Sequence, residues 1–272
     1  MTSPTTSRTT NPTPAVDDTP LPITEHLAEL RKRLFWILLA WTLGSVTAWS
    51  FAEQIFGYLL APAVAALGEG GTLQAIAPTE IFFTYLKCAL LAGFMIALPV
   101  IFWQIWAFVA PGLYSNERRA IIPFVAASTI LFSSGSFFGY SIVFPIIFDF
   151  FTTFDSDFVK SAWTMREVFA LTTRLFLAFG LAFEMPIFVF FLSLTGLLTA
   201  RQLLAGTPYA VLAVFVTAAI LTPPDVISQI FLAVPMIGLY LVGVAVAWAF
   251  GGKAERKDPA SSVKVMPPDN AN

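Results

Sequence analysis

Charged residues are scarce in this 272-residue chain, at 12% of positions. An average soluble domain carries roughly 25%. A surface this poor in charge cannot face water all round. One cysteine, Cys88, excludes an internal disulfide, and with it a disulfide-rich secreted module. One histidine, His26, leaves almost no way to build a zinc site from Cys and His. It also excludes the His-Glu-x-x-His form of metalloprotease. An aspartyl dyad needs two aspartates within the membrane, and Asp149 stands by itself near an outer end. There is no glycine-rich phosphate loop, so the chain does not itself hydrolyse ATP. Basic residues are not in excess: 15 Lys and Arg stand against 17 Asp and Glu, a formal net charge of −2. That balance gives no nucleic-acid footprint. Nothing calls for a cofactor, and no credible nucleophile–base pair points to an enzyme.

What the chain has is apolar length. Hydrophobic residues make up 57% of it, which excludes disorder as the overall class. The mean hydropathy is +0.77. Six membrane segments are expected, near 34–52, 80–109, 121–151, 168–196, 207–222 and 226–250. About 20 apolar residues cross a bilayer core of roughly 30 Å. The fifth segment is short, but it is apolar and free of charge. Backbone groups in lipid must bond within their own segment, so the spans are helices and the fold is all-α. Lys and Arg set the sidedness. Arg31, Lys32 and Arg33 precede the first span, Arg118 and Arg119 follow the second, and Arg201 follows the fourth. Lys253, Arg256 and Lys257 lie in the tail, whereas the opposite side has only Lys160 and Arg166 in one loop and none in the long loop from Ala52 to Thr79. Both termini are therefore expected in the cytoplasm. Residues 1–21 and 251–272 read as polar, disordered tails around one membrane domain at 22–250. The first span lacks a small-residue cleavage site and is expected to be retained.

Two cytoplasmic stretches carry functional signals. In Pro22–Leu34, Leu27, Leu30 and Leu34 form an apolar stripe at helical spacing. Thr24 suits an N-cap, and Glu29 and Arg33 are i,i+4 partners. One reading is an interfacial helix anchored by basic residues. The other is that Glu25 and Glu29 face the cytosol to capture a cation. In the second stretch, Trp103, Trp106 and Tyr114 suit an interface belt, and Pro111-Gly112 ends a helix. Glu117 follows beside Arg118 and Arg119. As a solvated pair it is worth little.

These stretches bring a family into view. Glu-His-Leu-Ala-Glu-Leu-Arg-Lys-Arg-Leu at 25–34 and Trp-Ala-Phe-Val-Ala-Pro-Gly-Leu-Tyr-Ser-Asn-Glu-Arg-Arg at 106–119 resemble TatC, the multi-spanning core of the twin-arginine protein translocase. So do Phe183-Glu184-Met185-Pro186, Leu221-Thr222-Pro223-Pro224-Asp225-Val226, and the run from Phe137 through Tyr140 to Pro145. The resemblance covers about residues 22–250. It implies a concave six-helix bundle in the inner (cytoplasmic) membrane that acts as a receptor. It also implies binding of twin-arginine signal peptides of folded cargo, recruitment of the single-span partners TatA and TatB, grouping into a homo-oligomer within a larger complex, and use of the proton gradient. Glu29 and Glu117 match acids that engage the paired arginines, and Phe108 matches an aromatic near them. Arg is planar, always charged and bidentate, so two carboxylates on separate elements discriminate Arg-Arg from Lys-Lys by geometry. Arg31 either holds these acids or reads lipid headgroups.

Within the spans, Glu184 is the one deep acid. Ionised and unpaired it would be unfavourable by several kcal/mol, so it must be protonated, hydrated or paired. It is either a neutral carboxyl bonded to a neighbouring helix or, as the resemblance implies, a polar point in a membrane concavity. Pro186 frees a backbone carbonyl and bends that span. Turn chemistry accounts for Pro223, Pro224 and Asp225, the last as a cap. Thr222 and Gln229 match polar sites that dock a partner helix, and Tyr140 lies in the third-span signature. Gly135 and Gly139 form a small-xxx-small helix-packing spacing. Pro99, Pro145 and Pro235 bend or end their helices. Lys87 and Arg174 can snorkel to the interface. Pro62 falls where the family places a structured exoplasmic cap. The short fifth span points to local bilayer thinning. The main rival is a secondary transporter, which would want polar groups at the midplane of two related halves. No matching halves are detectable.

Overall fold

The computed structural model describes residues 23–68, 70–109, 121–156, 158, 161–222 and 226–251. Among them the secondary structure is helical, apart from one isolated parallel bridge between Gln74 and Thr164.

Helix α1 (Ile23–Trp49) begins ahead of the first apolar run and passes through it without a break. The amphipathic entry stretch and the first span are thus one helix, and Thr24 lies inside its first turn instead of capping it. The chain then turns by 89° into α2 (Ala52–Ala66). Here the expected loop over 52–79 is corrected. The segment is rich in Ala and Leu, which favour helix, and Ala52, Leu59, Leu60 and Ala63 are buried. Its lack of basic residues bears on sidedness and not on local conformation.

Helix α3 (Pro78–Val109) has 32 residues and carries Pro99 without ending there. Helix α4 (Ile121–Phe138) runs through a π-helical turn, Gly139–Val143, into α5 (Phe144–Thr152), with Pro145 in the first turn of α5. Helix α6 (Met165–Phe183) and helix α7 (Met185–Leu194) meet at Glu184, where Pro186 removes a backbone donor. The short α8 (Ala200–Ala205) starts with a Thr199–Gln202 capping box. It leads into α9 (Thr207–Leu221), and α10 (Val226–Gly251) carries Pro235 internally.

Four apolar stretches are long enough to cross a membrane: Pro78–Val109, Ile121–Thr152, Met165–Leu194 and Val226–Ala249. Counting the bent pair α1–α2 as one span gives up to five. Helix α9, apolar but only 15 residues long, covers about 22 Å. The chain is an all-α, polytopic membrane protein.

Packing is closest where small residues let backbones meet. Helix α1 lies along α3. A Cβ built on Gly44 would come within 2.7 Å of the Gly93 carbonyl oxygen, and one on Gly93 would overlap the backbone of Ser45. The small-xxx-small spacing predicts a close neighbour, and the structure makes it α6: a Cβ on Gly135 would lie 2.5 Å from the Phe179 carbonyl oxygen, and one on Gly139 would lie 2.9 Å from its ring. One core cluster gathers Leu60, Phe144, Phe148, Leu175, Phe179 and Leu232. A second gathers Leu98, Phe102, Trp106, Phe132 and Phe191.

At the end of the bundle opposite the start of α1, two connections are tied together. The Gln74 amide donates to the Trp163 carbonyl at 2.9 Å, and the Met165 amide donates to the Gln74 carbonyl at 2.8 Å. Glu80 accepts from the amides of Ile76 and Arg166, each at 2.9 Å. Nothing in the local spacing marks Glu80 for this bridging role, since Arg166 is far along the chain.

Candidate functional site

The start of α1 meets the end of α3 through one arginine. Arg33 is paired with Glu29 one turn earlier, with its Nε donating to Glu29 Oε1 at 3.1 Å. The same guanidinium donates to the Ala107 carbonyl oxygen at 3.0 Å and to Gln104 Oε1 at 3.4 Å. The side chains are mostly covered, at 20% exposed for Arg33 and 32% for Glu29. An ion pair in that setting is firmer than a solvated one. Phe108, half-buried, follows the carbonyl that Arg33 grips. The structure thus brings Glu29 to the same corner as Phe108. Arg31 is exposed, and the guanidinium that holds Glu29 is that of Arg33. The i,i+4 spacing gives the Glu29–Arg33 pair. The reach to Gln104 and Ala107, more than 70 positions away, has no local signal. Glu117 and Asp225 lie outside the described residues.

Deeper in the bundle, Glu184 stands at the junction of α6 and α7. Its backbone rejoins the helix at once: its amide donates to Leu181 and its carbonyl accepts from Phe188. The side chain is half-buried, and Oε1 is buried with no hydrogen-bond partner among the described residues. Ser128 and the backbone of Phe132 lie beside the carboxyl. Ser128 is fully buried and accepts a 2.9 Å hydrogen bond from the Trp106 indole. A polar file therefore runs from α3 through α4 to the α6–α7 break. Neither Trp106 nor Ser128 is marked by sequence spacing as part of it.

Thr222, just after α9, and Gln229, in the first turn of α10, each have an internal partner. The Thr222 hydroxyl donates to the Ala218 carbonyl at 2.9 Å, closing its own helix, and is 5% exposed. Gln229 Nε2 donates across to the Phe215 carbonyl at 2.9 Å. On the far side, Tyr140 donates from its hydroxyl to the Tyr58 carbonyl at 2.6 Å. Pro62, inside α2, lines with Tyr140 and Asp149 an open cavity of about 470 Å³.

Comparison with known proteins supplies the family. The model for the family described as TatC, Sec-independent protein translocase protein, matches residues 25–235. The TatC of Desulforapulum autotrophicum is 43% identical over 234 residues, covering 86% of this chain and 87% of that protein. The TatC of Haemophilus influenzae is 39% identical over 243 residues, covering 89% and 93%. A crystal structure of the twin-arginine translocase receptor TatC superposes with a TM-score of 0.75 at 37% identity, covering 85% of this chain and all of that one. The match takes in the Glu29 corner, the Glu184 break and the α9–α10 turn, and the chain belongs to the TatC family of Sec-independent protein translocase proteins.

Proposed function

We propose that this TatC-family translocase component recognises the paired arginines of an export signal at the corner where α1 meets α3. The observation that carries the reading is the Arg33 guanidinium, which already lies between the Glu29 carboxylate and the Ala107 carbonyl. Those acceptors fit a planar, multi-donor cation. In this reading Glu29 and Glu117 each take one arginine of the incoming doublet, Phe108 packs beside the chain that carries it, and Arg31 stays at the lipid headgroups. The bundle is non-catalytic, and its work is binding and recruitment.

The topology that fits has six spans, with α9 counted as the fifth and both termini in the cytoplasm of the inner membrane. Its support is the order of basic residues along the sequence: Arg31, Lys32 and Arg33 before the first span, Arg118 and Arg119 between the second and third, and Arg201 after the fourth. Residues 22–250 form the membrane domain, flanked by tails at 1–21 and 251–272. TatA and TatB helices dock beside Thr222 and Gln229, where polar side chains bond across helices in lipid for about 0.6–2 kcal/mol. Several copies assemble in the working complex, and the proton gradient drives passage of the folded cargo.

The direct test uses the purified full-length protein in lipid nanodiscs and a leader peptide bearing Arg-Arg or Lys-Lys at the doublet. Tighter binding of the Arg-Arg leader is expected. Equal binding of the two removes the proposed role.

Glu184 is assigned to contact with partner or signal inside the membrane. Support comes from its buried Oε1, which has no hydrogen-bond partner among the described residues and lies beside the Trp106–Ser128 file. Glu184→Ala is expected to lower export of a folded reporter severalfold, and Glu184→Gln, which keeps hydrogen bonding, to retain most of it. Normal export by both variants makes the residue purely structural.

A further inference from the structure

Arg174 is a charge within an apolar span, ten residues into the helix that starts at Met165. It is exposed, and among the described residues it makes no hydrogen bond or ion pair. A cation at this depth needs a counter-charge or a path to the headgroups. Helical side chains lean toward the helix N-terminus. Arg174 accordingly lines an open groove of about 440 Å³ that continues up to Thr164 and Glu167. The remaining wall is apolar and aromatic, with Phe148, Phe151, Trp163 and Leu171 among its residues. The groove lies at the end of the bundle opposite Glu29, and the signal-recognition corner has no part in it.

We propose that this groove binds a membrane phospholipid, with the phosphate on the Arg174 guanidinium and an acyl chain along Phe148, Phe151 and Leu171. Charge complementarity selects the occupant. No carboxylate among the described residues is paired with Arg174, the anion that bilayer surroundings supply is a lipid phosphate, and a guanidinium takes phosphate bidentately. An aromatic wall under the charge matches the tail of the same molecule. Glu167 also lines the groove, and its carboxylate is paired with Arg166 at 3.3 Å. Its negative charge favours a zwitterionic headgroup over a strongly anionic one.

The test uses the full chain, purified in detergent, stripped of lipid and reloaded with phosphatidylethanolamine or with diacylglycerol of the same acyl chains. Native mass spectrometry counts what is retained. The wild type is expected to hold phosphatidylethanolamine in preference to diacylglycerol. Arg174→Gln reduces that retention about tenfold, as loss of a charge-assisted contact implies, and Arg174→Lys keeps part of it. Leu171→Trp, which fills the groove and leaves the charge, provides a second variant and is expected to lose the lipid too. Thermal unfolding of each variant separates lipid loss from misfolding. Equal retention by wild type and Arg174→Gln overturns the proposal, as does equal retention of the two lipids by the wild type. A large excess of inorganic phosphate is expected to leave the lipid bound; displacement by it assigns the site to free phosphate and also overturns the proposal.

Discussion

Replacing Glu29 and Glu117 together by alanine is expected to abolish crosslinking of a twin-arginine signal peptide, with each single variant weakening it by about one to two orders of magnitude. The size comes from hydrogen bonds to charged groups, each worth about 1.5–3 kcal/mol. In the resting protein, Arg33 occupies the Glu29 carboxylate and is also anchored to Ala107 and Gln104. Glu29→Ala therefore leaves Arg33 with partners on α3, so the protein should still accumulate and fold. Loss of crosslinking would then report recognition. The measurement is site-specific photocrosslinking in membranes, with protein level and thermal unfolding as controls. Crosslinking at the wild-type level in the double variant would remove both acids from the site.

The second large effect concerns stability. Gly93→Ala is expected to lower the unfolding free energy by about 3 kcal/mol or more, the upper end of what overpacking does. The added carbon collides with the backbone nitrogen and Cα of Ser45, so trimming the serine side chain gives no relief. The remaining escape is to part α1 from α3, which lie together along their length. Gly57→Ala is the matched control: it is helical, and nothing lies within 4 Å of its added carbon. Thermal unfolding in detergent should drop for Gly93→Ala and stay level or rise for Gly57→Ala. Equal behaviour of the two would show that the α1–α3 contact is softer than its geometry.

Much of the fold is legible in the sequence because lipid leaves so few options. Apolar length with little charge dictates helices, and the runs at 80–109, 121–151, 168–196 and 226–250 correspond to long helical stretches. Helix α2 is not legible from a charge count, since an uncharged stretch can be loop or helix with equal sidedness. Its Ala and Leu content carries the signal. The close approach at Gly93 is half-legible. Gly44, Ala48 and Ala52 on one side, and Ala89, Gly93 and Ala97 on the other, repeat small residues every four positions. Spacing of this kind shows that a helix has a close neighbour and not which one. The same limit applies to the site. Glu29 with Arg33 is local and readable, whereas Arg33 with Ala107, or Trp106 with Ser128, depends on helices meeting in space. Glu184 is conspicuous because an acid amid apolar residues needs explaining; that its Oε1 sits at a helix break with no partner among the described residues emerges only in three dimensions.

The turn at Gly139–Val143 holds more residues per revolution than the helices on either side. Each added residue rotates the later part of the rod by about 100°. Before the turn, Gly135 presses on α6; on it, Tyr140 reaches the α2 carbonyl of Tyr58; after it, Phe144, Ile147 and Phe148 enter the core. One rod thus addresses two neighbours with two differently aimed stripes and stays helical from Ile121 to Thr152, although Pro145 gives up one backbone donor just past the turn. A single-residue deletion inside those five positions would iron the phase slip into ordinary helix and swing the three core side chains toward lipid, so this short segment sets the aim of everything downstream on the rod.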